Sequence, residues 1–299
     1  MEIIAFSGGL GNQMFQYAFY LAKSKTSSDI AINTYSIYRE GVKNGFELKE
    51  LFGVQPPEQT SLAFRIIRKL LIFRERKNYR LICNLFLKFI QLFGIKILKE
   101  KGASQFSPLY LNCQSGIVYY FGFWQTPLYF QKIEDEIRTI YSFNANKLSA
   151  KSKELFPKIH AQESVSIHIR RGDFLSDANK SIYADICTFA YYSKAIAYIS
   201  ENVENPQFFI FSDDIEWAKK NLSLQNADYI DWNSGVNSWE DMFLISQCKH
   251  NIIANSTFSW WGAWLNKNKK KIVIAPSRFI NTSETPDIYP VDWIKMGNS

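Results

Sequence analysis

Short apolar runs alternate with amphipathic stretches along most of this chain. Ile3-Ile4-Ala5-Phe6 is apolar, breaks into Gly8-Gly9-Leu10-Gly11, and is followed by a helix-like pattern over 13–23. The pattern predicts further strands over 30–34 and 117–122 and a helix over 127–140. A polar stretch, 144–163, precedes a second and cleaner series. Its strands are predicted at Val165-Ser166-Ile167-His168-Ile169, Phe208-Phe209-Ile210-Phe211, Tyr229-Ile230, Asn251-Ile252-Ile253-Ala254 and, last, 271–275. Helices fall between them at 189–199, 215–221, 239–249 and 260–265. Strand–helix repetition of this length predicts an α/β protein with parallel sheets covered by helices. Two series imply two Rossmann-like domains, placed at 1–155 and 156–299.

One segment departs from the alternation. Over 62–102, apolar residues recur at helical spacing: Ile66, Ile67, Leu70 and Leu71, then Leu81, Ile82, Leu85, Phe86, Phe89, Ile90 and Phe93. The pattern predicts two amphipathic helices. Charge changes the picture here: the segment holds eleven basic residues against Glu75 and Glu100, a local charge of +9 in a chain whose total is +7. The basic character is therefore local. Arg80, Lys88 and Lys96 interrupt any run long enough to span a membrane. The helices either pack on the domain with solvated basic faces or touch an anionic membrane surface. No nucleic-acid-binding motif accompanies the charge.

Composition narrows the class. At 46% hydrophobic and 21% charged residues, the chain has ample material for a core and is not disordered. Cys83, Cys113, Cys187 and Cys248 form no CxxC pair, and three histidines make a zinc cage hard to assemble. Buried, reduced thiols are expected. The N-terminus lacks a basic n-region and reads as a strand rather than a signal peptide, so a cytoplasmic location is expected, with peripheral contact at the inner face of the membrane as an option.

Candidate chemistry gathers where strands are predicted to end. Ser7-Gly8-Gly9, Arg170-Arg171-Gly172-Asp173, Ser212-Asp213-Asp214 and Asn255-Ser256-Thr257 each follow a strand. Ligands of open α/β sheets sit at such carboxyl ends, so four clusters predict a cleft site. Gly8 to Gln13 suits a phosphate-cradling loop, but Met14 stands where a dinucleotide fingerprint needs its third glycine, and the next strand ends without a ribose-binding acid. His168 and Arg170 alternate onto one face. Arg170 offers a fixed fork for phosphate oxygens or, alternatively, an ion pair with Asp173. Asp213 and Asp214 read as a metal pair or as a helix cap, with capping favoured for at least one. Glu240 and Asp241 occupy a first helical turn, where acids are ordinary. Asn255 to Ser259 open a tryptophan-rich helix whose N-terminus suits an anion.

Gly8 to Tyr17, His168 to Asp173, Phe211 to Asp214, and Asn255-Ser256-Thr257-Phe258-Ser259-Trp260-Trp261, in that order, resemble the bacterial α-1,2-fucosyltransferases of glycosyltransferase family 11. The resemblance implies a GT-B-like architecture, two Rossmann-like domains with parallel sheets facing a central cleft. It implies an N-terminal acceptor-side domain and a C-terminal GDP-fucose-binding domain. It further implies metal-independent, inverting transfer of L-fucose from GDP-β-L-fucose to the 2-hydroxyl of a galactose-terminated glycan, without a cofactor. The acceptor could belong to lipopolysaccharide, capsule or a free oligosaccharide. Carried over residue by residue, Arg170 falls on the donor β-phosphate, His168 near guanine or ribose, and Asp241 on the guanine edge. Thr257 and Ser259 fall where related fucosyltransferases contact phosphate, whereas the base of the α-1,6 enzymes does not carry over, since Ala178 stands near its position. From the strand-end reading, Asp213 and Ser256 join the expected donor site, Gly9 and Gly11 the phosphate loop, and Asn12 and Asp173 join Arg170 as catalytic residues. Asp173 is the first choice of base and Asp177 the second. The alternatives are another GT-B nucleotide-sugar transferase or a non-catalytic membrane-surface module; an arginine-bearing strand end speaks against a glycosidase.

Overall fold

Four short parallel strands build the first sheet. The computed structural model describes residues 1–298 apart from Lys43, Glu75, Cys113 and Ser223, so Cys113 lies outside the described residues. The chain divides into two units, one of residues 1–101 and 106–137, the other of 102–105 and 138–299.

In the first unit the elements run β1 (Glu2–Ala5), α1 (Leu10–Ser24), β2 (Ile30–Asn33), α2 (Tyr35–Arg39), α3 (Glu47–Phe52), α4 (Leu62–Arg74), α5 (Arg80–Leu92), β3 (Ile95–Lys99) and β4 (Ile117–Phe121). All pairings are parallel, in the order β2-β1-β4-β3. The chain leaves β1 towards β2 and returns on its other side, so the strand order switches between β1 and β4. Ile3, Ala5 and Tyr119 meet Phe64 and Ile67 of α4 and Leu87 of α5 on one sheet face. Phe19 of α1 meets Tyr120 of β4, with ring centroids 6.0 Å apart.

The 62–102 segment thus contains the two expected helices and an edge strand that helical spacing hid. Gly94, at φ +76°, ends α5 and lets the chain turn into β3. The helix expected over 127–140 is two 3₁₀ turns, Pro127–Tyr129 and Gln131–Ile133, followed by α6 (Glu134–Ile140). Pro127 suits a first-turn position, where no N–H is needed.

The second unit continues with α7 (Ala150–Ala161), β5 (Glu163–Ile169), α8 (Lys180–Tyr183), α9 (Phe189–Asn202), β6 (Pro206–Ser212), α10 (Ile215–Asn221), β7 (Ala227–Ile230), α11 (Trp239–Gln247), β8 (His250–Ile252), α12 (Thr257–Leu265), β9 (Val273–Pro276) and β10 (Ile294–Met296). The six strands are parallel, in the order β10-β9-β8-β5-β6-β7. Two α/β units with parallel sheets are thus the architecture expected. The division at 137/138 differs from the expected 155/156, because residues 138–155 belong to the second unit. Ser149 donates its N–H and hydroxyl to the buried Glu240 carboxylate, and Ser152 bonds Asn233. The polar stretch conceals α7, capped by Ser149 on Ser152 N–H. β9 is followed by β10, a further strand beyond the expected last one.

β5 shows why the second sheet works as a platform. Val165, Ile167 and Ile169 enter the apolar cluster with Tyr191 and Tyr192 of α9. Period-two alternation sends Ser164, Ser166 and His168 to the opposite face. There Ser166 accepts from Asn251 at 2.8 Å, and Asn251 also donates to the Ile245 carbonyl at the end of α11. Cys83 and Cys248 are buried and Cys187 is half-buried, all three as free thiols.

Candidate active site

The sheet order brings three of the polar clusters to neighbouring strands. From β5 the chain runs outward through β6 and β7, then returns to β8, β9 and β10 on the other side. The switch point falls at the carboxyl end of β5, where ligands of open α/β sheets bind. Arg170 to Asp173 follow β5, Asp213 and Asp214 follow β6, and Asn255 to Thr257 follow β8.

Arg170 is held by two carboxylates. Its Nη2 lies 2.7 Å from Asp173 Oδ1 and its Nη1 3.0 Å from Asp213 Oδ2, while the side chain stays 36% exposed. Two of the five guanidinium N–H donors face these acids, and the fork keeps others for a ligand. Asp213 Oδ1 also accepts from the Arg171 N–H at 2.8 Å, so one carboxylate ties the β5 turn to the end of β6. A Cβ on Gly172 would stand 2.8 Å from Asp213 Oδ2, which explains glycine there. Asp214 caps α10 by accepting from Trp217 N–H at 3.2 Å and pairs with Arg171 Nε at 3.1 Å. The Arg171 guanidinium lies 4.3 Å from the Trp217 ring centroid. The expected cap is therefore Asp214, while Asp213 serves the arginines. Asp177, the second-choice base, is 95% exposed and pairs with Lys180.

His168 is buried and stacks on Phe258 at 5.6 Å. Burial, and then the Arg170 charge, lower its pKa to about 3, so the ring is neutral at working pH. Its Nδ1 is buried without a hydrogen-bond partner among the described residues. Tyr192 of α9 donates to the His168 carbonyl at 3.1 Å and Tyr191 to the Ile253 carbonyl at 2.6 Å, bracing both strand ends from behind.

Ser256 caps α12, accepting from Phe258 N–H at 3.3 Å, and Trp260 N–H makes a 3.0 Å bond to the Ser256 carbonyl. The N–H groups of Thr257 and Ser259 lie ahead of the first intrahelical acceptor, as at any helix start. The Ser259 hydroxyl differs from expectation: it is fully buried and donates to the Ser256 carbonyl at 3.3 Å. Asn255 is also structural, donating to the Tyr183 and Phe279 carbonyls.

Asp241 bonds Asn233 Nδ2 at 2.7 Å rather than any group of the β5–β6 cluster. Burial pushes its carboxyl up to about 7, against the Asn233 bond, with Glu240 adding to the rise.

In the first unit, the loop after β1 is locked by amides. Gln13 donates to Gly8 and Gly45 carbonyls at 3.0 and 2.8 Å; Gln16 accepts from Ser7 N–H and donates to the Gly122 carbonyl beyond β4. Gly8 sits at φ +76° over the Asn12 side chain, which accepts from Gln125 at 2.9 Å. Gly9 caps α1 with an unobstructed Cβ direction, whereas Gly11 is already inside the helix. Glu100, beyond β3, accepts from Phe123 and Trp124 N–H; burial raises its pKa against those bonds, and its buried Oε1 has no hydrogen-bond partner among the described residues. Sequence reading missed Glu100 because β3 was missed; the strand-end rule finds it once that strand is placed.

Comparison with known proteins meets this arrangement over its full extent. The profile of glycosyl transferase family 11 matches residues 1–297. This chain belongs to glycosyltransferase family 11. As a family 11 enzyme it is 33% identical over 300 residues to an α-1,2-colitosyltransferase of Escherichia coli, covering 97% of each chain. It is also 33% identical to the O-antigen biosynthesis glycosyltransferase WbnK of Escherichia coli, covering 97% of this chain and 98% of that one. A galactoside α-(1,2)-fucosyltransferase 1 of Ateles belzebuth is 26% identical over 146 residues, which is 46% of this chain and 40% of that one. The family resemblance carried by the strand-end motifs is thereby confirmed. Among the described residues no helix is long and apolar enough to cross a membrane.

Proposed function

We propose that this family 11 glycosyltransferase moves L-fucose from GDP-β-L-fucose to the 2-hydroxyl of a galactose-terminated glycan with inversion. The arrangement that carries the reading is Arg170 at the β5 switch point, beside neutral His168 and, across Phe258, the start of α12. A departing nucleoside diphosphate gathers negative charge on its β-phosphate oxygen. A fixed guanidinium and unsatisfied helix N–H groups stabilise that charge without reorganising. The acceptor oxygen bonds to C1 as the C1–phosphate bond breaks, and the electron pair leaves with GDP. The acceptor hydroxyl proton passes to a carboxylate. Asp173 is the nearest in the motif: one oxygen holds Arg170, and the side chain is 54% exposed.

Within the donor site, His168 Nδ1 accepts from a ribose or base donor, Asp241 accepts from the guanine N–H groups, and Thr257 and Ser256 border the phosphates. Asp213 and Asp214 are committed to arginines and a cap, which supports transfer without a metal ion. An O-antigen acceptor is favoured by the similarity to the O-antigen biosynthesis glycosyltransferase WbnK.

The colitosyltransferase similarity favours a second donor reading, since colitose is fucose without its 3-hydroxyl. Incubation with GDP-fucose or GDP-colitose and a panel of β-galactosides tests both, with product linkage read by NMR. Fucose on O2 of galactose is the expected product. Transfer from GDP-colitose alone selects the second donor, and turnover with neither sugar overturns the proposal.

A further inference from the structure

The outward side of α5 is apolar and exposed. Cys83 and Leu87 point into the first unit. On the opposite side Leu81, Ile82, Leu85, Phe86, Phe89 and Leu92 are all exposed, from 52% to 82%. At the helical repeat these six occupy one arc of about 140°. A helix lying on a water-facing domain normally turns polar residues outward, and a contiguous apolar arc marks an interaction site. Phe93, directly after the helix, extends the arc at 69% exposed.

The surroundings of the arc carry its counter-charge. Arg65, Lys69, Arg76, Arg80, Lys88 and Lys96 are exposed in the same 62–102 segment. On α4, Ile66 and Ile72 are exposed beside Arg65 and Lys69, so apolar and basic side chains share one outward face. A groove of about 330 Å³ opens between these helices and β3, with Leu71, Leu87 and Ile97 in its lining and Arg74, Lys88 and Lys99 beside them. An apolar lining with cationic neighbours matches an amphiphile with a negative headgroup.

We propose that α4 and α5 dock this protein on an anionic phospholipid bilayer, with the α5 arc entering the headgroup–acyl boundary and the flanking arginines and lysines binding lipid phosphates. The two features are what interfacial helices require together: apolar area for insertion and basic charge for attraction to acidic lipid. A second copy of the chain is the weaker occupant, because apposing two such faces would bring together two segments of +9.

Vesicle flotation of the full chain tests this without any transfer reaction, so its result is separate from the donor assignment. The protein floats with phosphatidylcholine vesicles carrying about one-third phosphatidylglycerol, fails to float with phosphatidylcholine alone, and is released by high salt. Arg76→Gln/Arg80→Gln/Lys88→Gln lowers partitioning about 100-fold, at about fivefold per basic residue. Phe86→Gln/Phe89→Gln, at exposed positions, lowers it as well while the circular dichroism spectrum is retained. Absence of flotation with acidic vesicles overturns the proposal. So does equal binding to neutral ones, or a dimer that the phenylalanine changes dissociate.

Discussion

Arg170 shows how much one side chain is asked to do. Its fork is shared between Asp173, Asp213 and, in the proposed reaction, a β-phosphate. Lysine keeps the charge but loses the fork, so Arg170→Lys lowers kcat/KM about 10²- to 10³-fold and weakens GDP binding with the fold intact. Steady-state kinetics and calorimetry with GDP check this; near-normal turnover removes Arg170 from the phosphate. Asp173→Asn keeps an oxygen for Arg170 and removes the base, so turnover falls at least about 100-fold with GDP affinity preserved. If GDP affinity falls with it, Asp173 holds the arginine instead.

Asp241 makes a pH-dependent prediction at the same scale. Its carboxyl is raised from 3.8 to about 7, so the folded protein keeps a proton that the unfolded chain has released. Any stability from that proton is complete below the unfolded value and lost as pH rises towards 7. His168, lowered from 6.5 to about 3, has the opposite sign: its contribution is present above 6.5 and lost as pH falls towards 3. The two oppose each other where their windows overlap. In the proposed donor site the guanine N–H groups need the Asp241 carboxylate as acceptor, so GDP affinity is expected to rise from pH 6 to pH 8. Titrations at both pH values show the rise in the wild type and a smaller one in Asp241→Asn; identical slopes remove Asp241 from the base site.

At the scale of elements, the site depends on close approaches that glycine permits. A Cβ on Gly262 of α12 would lie 2.4 Å from Ile245 Cγ2 of α11, and Ile245 is buried and β-branched. Gly262→Ala therefore separates the two helices and destabilises the protein by about 1–3 kcal/mol, read as a lower Tm. Because α12 brings Phe258 to His168, GDP affinity should drop in the same variant. An unchanged Tm would mean that Ile245 has room to move.

For the whole molecule, the second unit gathers the proposed nucleotide site from β5, β6, β8 and α11, so GDP links these elements thermodynamically. GDP at about 100 times its Kd raises unfolding stability by about 2.7 kcal/mol, and the Tm shift persists in EDTA. A shift that chelation abolishes and Mg²⁺ restores would return Asp213 and Asp214 to metal binding.

Several things about this protein were written in local sequence. Strand-end clusters such as Arg170 to Asp173 could be found because a strand, its turn and the next helix start are consecutive in the chain. The capping duty of Asp214 was local for the same reason, since its partner Trp217 N–H is three residues away. Two α/β series were visible because period-two and helical patterns alternate over both halves. Tertiary structure decided what depends on distant partners. It put β3 on the sheet edge, where its mixed exposure leaves no continuous apolar run to announce it. It placed 138–155 in the second unit, where Ser149 bonds Glu240, turned the Ser259 hydroxyl inward, paired Arg170 with Asp213, and left Asp241 half-buried, where desolvation holds a proton near neutrality. Burial and long-range charge are sums over neighbours that the fold alone assembles, so residue type and spacing name the candidates while packing assigns their work.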